Sequence, residues 1–285
     1  MKKMVALILV AVICLVSFAS CSGPAKVKVN GTKIDNEVYA YFEDLYDGNE
    51  NEITKAISRY VTINSEFAKR NLKLTPVQKS NLSLKVDDLW HLYGVHYTKE
   101  DISRQTIYKI ETSKVYEEVL LDYYYGQGGV EPVSEETIKK YFKSNYIAIS
   151  FATGYLFNID ETGATVPMTD SEKAVVINDF TKSESLINTG TPIEASIDKD
   201  VRNTIINSSY DGTFPSGFFK EVSTISVGSA RTVSLDDYVF LVQRIDVFDE
   251  TYGYYNEYRT QCLRSLKGEE FDKMVDQWSQ SYKVD

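Results

Sequence analysis

The chain has 285 residues, with 41 acidic against 31 basic side chains, 2 histidines and a net charge of −10. An excess of acid on this scale excludes binding to nucleic acid or to an anionic membrane surface through bulk electrostatics. The length admits two domains, and 21 tyrosines against 2 tryptophans leave two readings open: half-exposed contact surfaces or compositional drift.

Residues 1–20 read as an export leader. Lys2 and Lys3 supply the positive start, and Val5 to Val16 is an apolar run too short to span a membrane comfortably. The run ends in Phe18-Ala19-Ser20-Cys21, which resembles a bacterial lipobox with Phe18 where Leu, Val or Ile is usual. On that reading Cys21 becomes the first mature residue and carries lipid, and two or three acyl chains anchor it firmly. The alternative is an ordinary cleaved leader with Cys21 merely nearby. Loss of Lys2 and Lys3, with no acid in the leader, takes the charge from −10 to −12. With Cys14 and Cys21 spoken for, Cys262 is the remaining thiol, so an intramolecular disulfide or a cysteine-based metal cluster is not expected. Its place on an apolar helical stripe predicts a buried core thiol rather than a nucleophile.

In 26–46, Val27 and Val29 alternate into Asn30-Gly31, a two-residue hairpin signal. Asp35 then caps a helix carrying Val38, Tyr39, Phe42, Leu45 and Tyr46 at helical spacing. Residues 35–146 read as consecutive helices. Ile53, Ile57, Tyr60, Val61 and Phe67 mark the second, and Thr75-Pro76 with Gln78 forms a capping box for the third. That helix is predicted to stop at Gly94, with Thr98 capping the next one and Asp101 reaching back. A long helix through Ile110 and Leu120 ends at "GQGG", and Ser134 caps a short one.

The period changes near Tyr146. Ile147, Ile149, Phe151, Tyr155 and Phe157 alternate as in a strand, Thr169 and Glu172 form another capping box, and "SVGSARTVSLDDYVFLVQRIDV" reads as a turn and a closing pair of strands. From Tyr254 the chain is helical again, with Tyr258, Cys262, Leu266, Met274 and Trp278 predicted to share a face. This helix is expected to return to the N-terminal helices, which makes the α+β unit an insertion.

This order, together with the lipobox and the "VNGTKID" opening, resembles the extracytoplasmic foldases of the PrsA and SurA type. The resemblance implies an α+β fold: a mostly helical SurA/PrsA-like chaperone domain carrying a small inserted α+β parvulin-like domain. The implied layout is a lipoprotein leader over 1–20, the first part of the chaperone domain over 21–145, the parvulin-like domain over 146–248, and a helix over 249–285 that completes the chaperone domain. "EEFDKMVDQWSQSYKVD" is similar to the family's last helix running into a terminal strand. "GYLFNI", "SEKAVVIN", "INTGTPIEASI", "ISVGSARTV" and "DYVFLVQRID" resemble the successive pieces of the parvulin-like unit.

An active parvulin site uses a pair of core histidines. Here His91 and His96 both lie in the helical half, and Gly154 and Val239 align with the two histidine positions. The resemblance therefore implies a parvulin-like unit without its chemistry. No catalytic residue, metal or cofactor is expected. His91 and His96, five apart around a helix break, do not converge as metal ligands, and the pairs Asp87-Asp88, Asp236-Asp237 and Glu269-Glu270 read as solvated charges.

The implied function is a membrane-anchored extracytoplasmic chaperone or foldase-like lipoprotein on the outer face of a bacterial cell membrane. Its expected partners are unfolded or newly exported proteins and the membrane through its lipid, with homodimerisation left open. Candidate client-binding residues are Tyr41, Phe42, Trp90, Tyr93, Tyr123 and Tyr124. Core packing is the plainer alternative for each, and the favoured one for Phe42, Trp90 and Tyr123. Two further readings stay open. One is an active peptidyl-prolyl cis-trans isomerase whose divergent proline pocket uses Tyr155, Phe157, Phe218, Phe219, Tyr238 and Phe240. The other is a non-catalytic scaffold or binding lipoprotein of an envelope complex.

Overall fold

The computed structural model describes residues 26–208 and 213–284; the leader and Cys21 lie outside the described residues. The architecture is α+β. The chain divides into two compact units, one ending at Ser134 and resuming at Leu263, the other Glu135–Cys262.

The first unit opens with a hairpin, β1 (Lys28–Val29) and β2 (Thr32–Lys33), paired antiparallel. Asn30 and Gly31 both take positive φ, 49° and 77°, which gives the turn a twist that suits a two-residue connection. The end of the chain clasps this turn. Val284 bridges Val29, Asn30 N–H donates to the Lys283 carbonyl at 2.8 Å, and the Asn30 amide meets the Ser281 carbonyl and the Lys283 N–H, each at 2.9 Å.

Four helices follow. Asp35 caps α1 (Asn36–Leu45), accepting from the Glu37 N–H at 3.2 Å, and its buried carboxylate also receives Lys109 Nζ at 2.6 Å. Asn49 caps α2 (Glu50–Lys69), and Thr75 with Gln78 forms the expected box at the head of α3 (Pro76–Lys99). Ser103 caps α4 (Arg104–Tyr125), which closes at Gly126. Val38, Phe42, Ile53, Ile57, Tyr60, Val61 and Ile110 make one core, and Leu82, Val86, Ile102 and Ile107 a second, so α1 to α4 bury the faces their periodicity marks.

Two expectations for this unit are corrected. The third helix does not stop at Gly94. It runs on to Lys99, and Gly94 sits inside it because a Cβ there would lie 3.1 Å from the Trp90 indole. Thr98 caps nothing; its hydroxyl donates to the Gly94 carbonyl at 2.7 Å, and the next cap is Ser103, whose N–H and hydroxyl both donate to Glu37.

The second unit begins with α5 (Glu135–Asn145), followed by β3 (Tyr146–Tyr155) and a ribbon of β4 (Phe157–Ile159) and β5 (Thr165–Pro167). Then come α6 (Asp170–Asn188), opened by the Thr169/Glu172 box, and the short α7 (Ile193–Ser196). After β6 (Val201–Asn207) and α8 (Phe218–Ser223), β7 (Ala230–Leu235) and β8 (Tyr238–Ile245) close the sheet. Its four strands are antiparallel in the order β6-β3-β8-β7. One face packs on α6 through Ala152, Leu156, Phe180, Ile187, Val239 and Leu241, the other on α8 through Ile147, Ile149, Phe218, Val222, Phe240 and Val242.

The last helix, α9 (Tyr254–Ser279), starts in the second unit and ends in the first. Its fully buried side chains are Cys262, Leu263, Phe271 and Val275; of the run expected from Tyr258 to Trp278, Cys262 is buried as expected, while Tyr258, Leu266, Met274 and Trp278 are only half-buried. A strict four-residue step drifts about 40° per repeat on a helix of 3.6 residues per turn, so that run crosses half the circumference. Within the first unit, Arg59 donates to Glu117 at 2.8 and 3.0 Å and to Asp272 at 2.7 Å, and Arg264 donates to the same two carboxylates at 2.8 and 3.0 Å. This network joins α2 and α4 to the returning helix.

Replacing Asp35 by Ala removes a helix cap and leaves Lys109 without its buried partner, so the variant should lose about 3 kcal/mol in equilibrium denaturation; a loss under about 1 kcal/mol would show that the pair is dispensable. Buried Glu66 and Glu111 give a second expectation. Burial acts to raise their pKa values, but hydrogen bonds from Lys69 and Arg70, and from Lys114 and Lys85, outweigh it and hold both below the usual 4.5. A depressed folded pKa stabilises above the unfolded value and loses that contribution as pH falls through the folded one. The denaturation midpoint should therefore be flat from neutrality to about pH 5 and fall below about 4.5.

Candidate functional site

The six aromatics expected to line a proline pocket lie near one another at one face of the sheet. Because cross-strand partners share a face, Tyr155 opposite Tyr238 places both rings beside Phe240. Ring centroids lie 5.1 Å apart for Tyr155 and Phe157, 5.8 Å for Tyr155 and Tyr238, 6.0 Å for Tyr238 and Phe240, and 4.9 Å for Phe218 and Phe240. Phe219 packs against the same cluster. Tyr155 is exposed, Phe157 and Tyr238 half-buried, and Phe218 and Phe240 buried, so the outer three rings form the accessible end. Phe214 belongs with them: it stacks on Phe218 at 4.2 Å and meets Phe151 and Phe240 edge-on. Its place among Gly, Ser and Pro made it look like loop, although "FPSGFF" is rich in aromatics.

Gly154 and Val239 are direct partners across β3 and β8, but they face α6, away from these aromatics. No room stands open there. A Cβ on Gly154 would come within 2.7 Å of Phe180 Cζ and 2.9 Å of Val239 Cγ1. The space that a histidine would need at that point is filled by hydrocarbon. On the aromatic face the corresponding cross-strand pairs are Tyr155 with Tyr238 and Thr153 with Phe240. Those pairs offer phenol and alcohol hydroxyls but no imidazole, thiol or carboxylate.

In the first unit the six client-binding candidates fall into two clusters. Tyr41, Phe42, Trp90 and Tyr93 gather around Tyr97, which stacks with Trp90 at 6.3 Å and meets Tyr41 at 6.5 Å and Tyr93 at 6.2 Å. Phe42 is core, Tyr41 and Trp90 half-buried, Tyr93 exposed. Tyr97 lies one turn past the expected helix stop at Gly94, which hid its role as the hub. Tyr123 and Tyr124 lie elsewhere, over the Arg70 guanidinium with Trp278, and Tyr124 Oη accepts from Arg70 Nη2 at 2.6 Å. That bond makes Tyr124 part of the frame, and Tyr123 is the exposed member.

A further surface escaped the sequence reading. Val77, Leu84, Leu92 and Val95 project from one side of α3, opposite the stripe of Leu82 and Val86, and Val95 is 91% exposed. Over the 19 residues from Val77 to Val95 these side chains share their face with Asn81, Asp88 and His91, while exposed Tyr93 lies on the other side of the helix with Trp90 and Tyr97.

His91 is exposed and His96 pairs with Asp44 at 2.9 Å; among the described residues no group of three or more metal-ligating side chains converges. Asp87 is held by Arg104, and Glu270 by Lys267 at 2.6 Å. Burial pushes the Cys262 thiol up to about 11, against a hydrogen bond with Tyr146, so it is protonated and unreactive at neutral pH. No described helix is long and apolar enough to cross a membrane.

No family model and no curated protein sequence matches the chain. Among solved structures it is similar to the foldase protein PrsA from Lactococcus lactis, at 12% identity and a TM-score of 0.39, over 92% of this chain and 94% of that one. The foldase protein PrsA from Streptococcus pneumoniae gives 11% identity and a TM-score of 0.44 over 84% and 88% of the two chains. A structure from work on two SurA-like chaperones of Campylobacter jejuni, PEB4 and Cj1289, gives 12% and 0.35 over 92% and 98%.

The close packing at Gly154 makes its substitution a direct probe. Gly154→Ala should cost about 1–3 kcal/mol in chemical denaturation by forcing Phe180 aside; an unchanged midpoint would mean that the face is looser than the contacts require.

Proposed function

We propose that the mature protein is a membrane-anchored extracytoplasmic chaperone or foldase-like lipoprotein, tethered through Cys21, that binds unfolded exported chains without catalysing proline isomerisation. The observation that carries this reading is that α3 exposes apolar groups on both sides: the row Val77, Leu84, Leu92 and Val95 on one, and Tyr93 with the aromatic cluster around Tyr97 on the other. Unfolded clients have apolar side chains in common and little else, and a row of exposed aliphatic and aromatic groups meets them without demanding a sequence. The opening hairpin, the Asp-capped helix and the returning helix that resemble those of PrsA- and SurA-type foldases agree with it.

The same reading makes the sheet unit a binding scaffold. Lowering an X-Pro rotation barrier of about 18–20 kcal/mol requires a site that stabilises the twisted amide. The aromatic face can grip a proline ring, but the polar groups of its cross-strand pairs are the hydroxyls of Tyr155, Tyr238 and Thr153. The ring chain from Tyr155 to Phe218 is what favours the alternative, an active isomerase with a divergent site.

A soluble form beginning after Cys21, added to a proline-limited refolding reaction, separates the two. The expected result is an unchanged slow phase with improved final yield at near-equimolar protein. A faster slow phase at substoichiometric protein would establish the isomerase, and no effect on either would point to a dedicated envelope partner. Leu92→Ser with Val95→Ser should raise the ratio needed for half-maximal yield about threefold. Both side chains are exposed, so stability should move by less than about 0.5 kcal/mol.

A further inference from the structure

The two edges of the four-stranded sheet are not alike. Strands β7 and β6 are its outer members, and the direction of every backbone group on them follows from the hydrogen bonds inside. Gly228 N–H donates to the Arg244 carbonyl at 2.7 Å and Arg244 N–H to the Ser229 carbonyl at 3.0 Å, so Arg244 points toward β7. Alternation then gives Val239, Leu241, Gln243 and Ile245 to β3, through Gly154, Ala152, Ser150 and Ala148. The Leu156 N–H bond to the Asp237 carbonyl at 2.8 Å continues the same phase. Ile147, Ile149 and Phe151 are thereby left to bond Ile206, Thr204 and Arg202 of β6. The N–H and C=O groups of Val201, Asn203 and Ile205 point outward.

On β7 the same phase turns Ala230 and Thr232 outward, and α6 covers them. Asn188 Oδ1 accepts from the Ala230 N–H at 2.8 Å, Asn188 Nδ2 donates to the Ala230 carbonyl at 3.1 Å, and Glu184 Oε2 accepts from the Thr232 N–H at 2.7 Å. Three side-chain bonds mimic a further strand and close that edge. Nothing comparable covers β6. Among the described residues no group meets the outward amides and carbonyls of Val201, Asn203 and Ile205. Of the usual devices against pairing the strand has one charge, Arg202, which pairs with Asp200 at 2.8 Å; it has no proline, and its seven rungs with β3 run unbroken from Val201 to Asn207 without a bulge.

We infer that the outer edge of β6 captures an extended polypeptide segment by strand addition. Only a chain in the extended conformation presents N–H and C=O groups at the spacing of Val201, Asn203 and Ile205. Val201, Thr204, Ile205 and Ile206 border the added strand, so β-branched neighbours suit it on both faces. The net charge of −10 favours a neutral or basic segment over an acidic one. The edge serves backbone recognition and is separate from the side-chain grip of α3, so it supplies a second, sequence-tolerant contact that the chaperone reading does not require.

The test uses the chain beginning after Cys21 and a capped peptide of about eight residues, alternating threonine and valine with a terminal lysine pair. Native-state hydrogen exchange should slow at Val201, Asn203 and Ile205 about tenfold on saturation, while Arg202, Thr204 and Ile206, already bonded inward, stay unchanged. Asn203→Pro removes an outward donor without touching the inner ladder and should weaken capture about tenfold. Asn203→Ala loses the same 2.5 Å side-chain bond from Ser150 but keeps the donor, so it should bind as the parent does. Outward amides indifferent to peptide would overturn the inference. So would slowing confined to Tyr155, Tyr238 and Phe218, or slowing that rises with protein concentration in the absence of peptide, which would assign the edge to a second copy. Improved refolding yield without edge protection would sink this inference alone, and edge protection without improved yield would sink the chaperone reading alone.

Discussion

The returning end of the chain completes the first unit, and the four charges Arg59, Glu117, Arg264 and Asp272 mark where it docks. Burial of Leu263, Phe271 and Val275 supplies the free energy, since apolar contact is non-directional and scales with area. Apolar contact alone would tolerate a helix slipped by a turn. The network does not, because each guanidinium faces both carboxylates and a slip would leave like charges together. Its members are half-exposed, so they add little stability individually and act chiefly as a register mark. The Asn30 clasp on Ser281 and Lys283 repeats that logic at the far end, where the chain leading to Cys21 departs.

Much of this was legible because local chemistry decides it. Asp35, Thr75 with Gln78, and Thr169 with Glu172 cap as their spacing requires, and the alternation from Ile147 to Phe151 marks the central strand. What was not legible depended on distant partners. Gly94 looks like a helix end until Trp90 is seen lying over it, and Thr98 looks like a cap until its hydroxyl is spent on the turn behind. Ser103 caps α4 as part of a site in which Glu37, some 60 residues earlier, receives its N–H and hydroxyl. The face of α9 was misjudged because a four-residue step was extended beyond the distance over which it follows a helix. Tyr97 and Phe214 were missed for one reason: each lies just beyond a Gly or Pro signal that marked its segment as loop.

The candidate site was legible as a set of residue types and not as an arrangement. The six pocket aromatics do lie together, yet the alignment that set Gly154 and Val239 at the histidine positions points them at α6. A one-residue offset along a strand exchanges faces, and alternating apolar residues on both faces give a sequence reader no way to choose between them. Hydrocarbon packs at Gly154 on one side and phenols stand on the other, so the two faces differ in what they present.

The proposed binding without chemistry sets its own requirement, which is contact that is broad and weak. On α3 the exposed aliphatic side chains are spaced by Asn81, Asp88 and His91 rather than fused into one patch. That spacing lowers the gain from self-association, which needs a continuous dry area. A flexible client can still use single Leu or Val contacts in turn. Acidic surface charge acts in the same direction, since it keeps copies of the chain apart while leaving neutral and basic segments free to approach. A sheet edge adds the one feature that every extended polypeptide shares, its backbone. On the proposed reading, apolar rows, a tyrosine-rich rim and an open strand together meet what an unfolded chain has and a folded one hides.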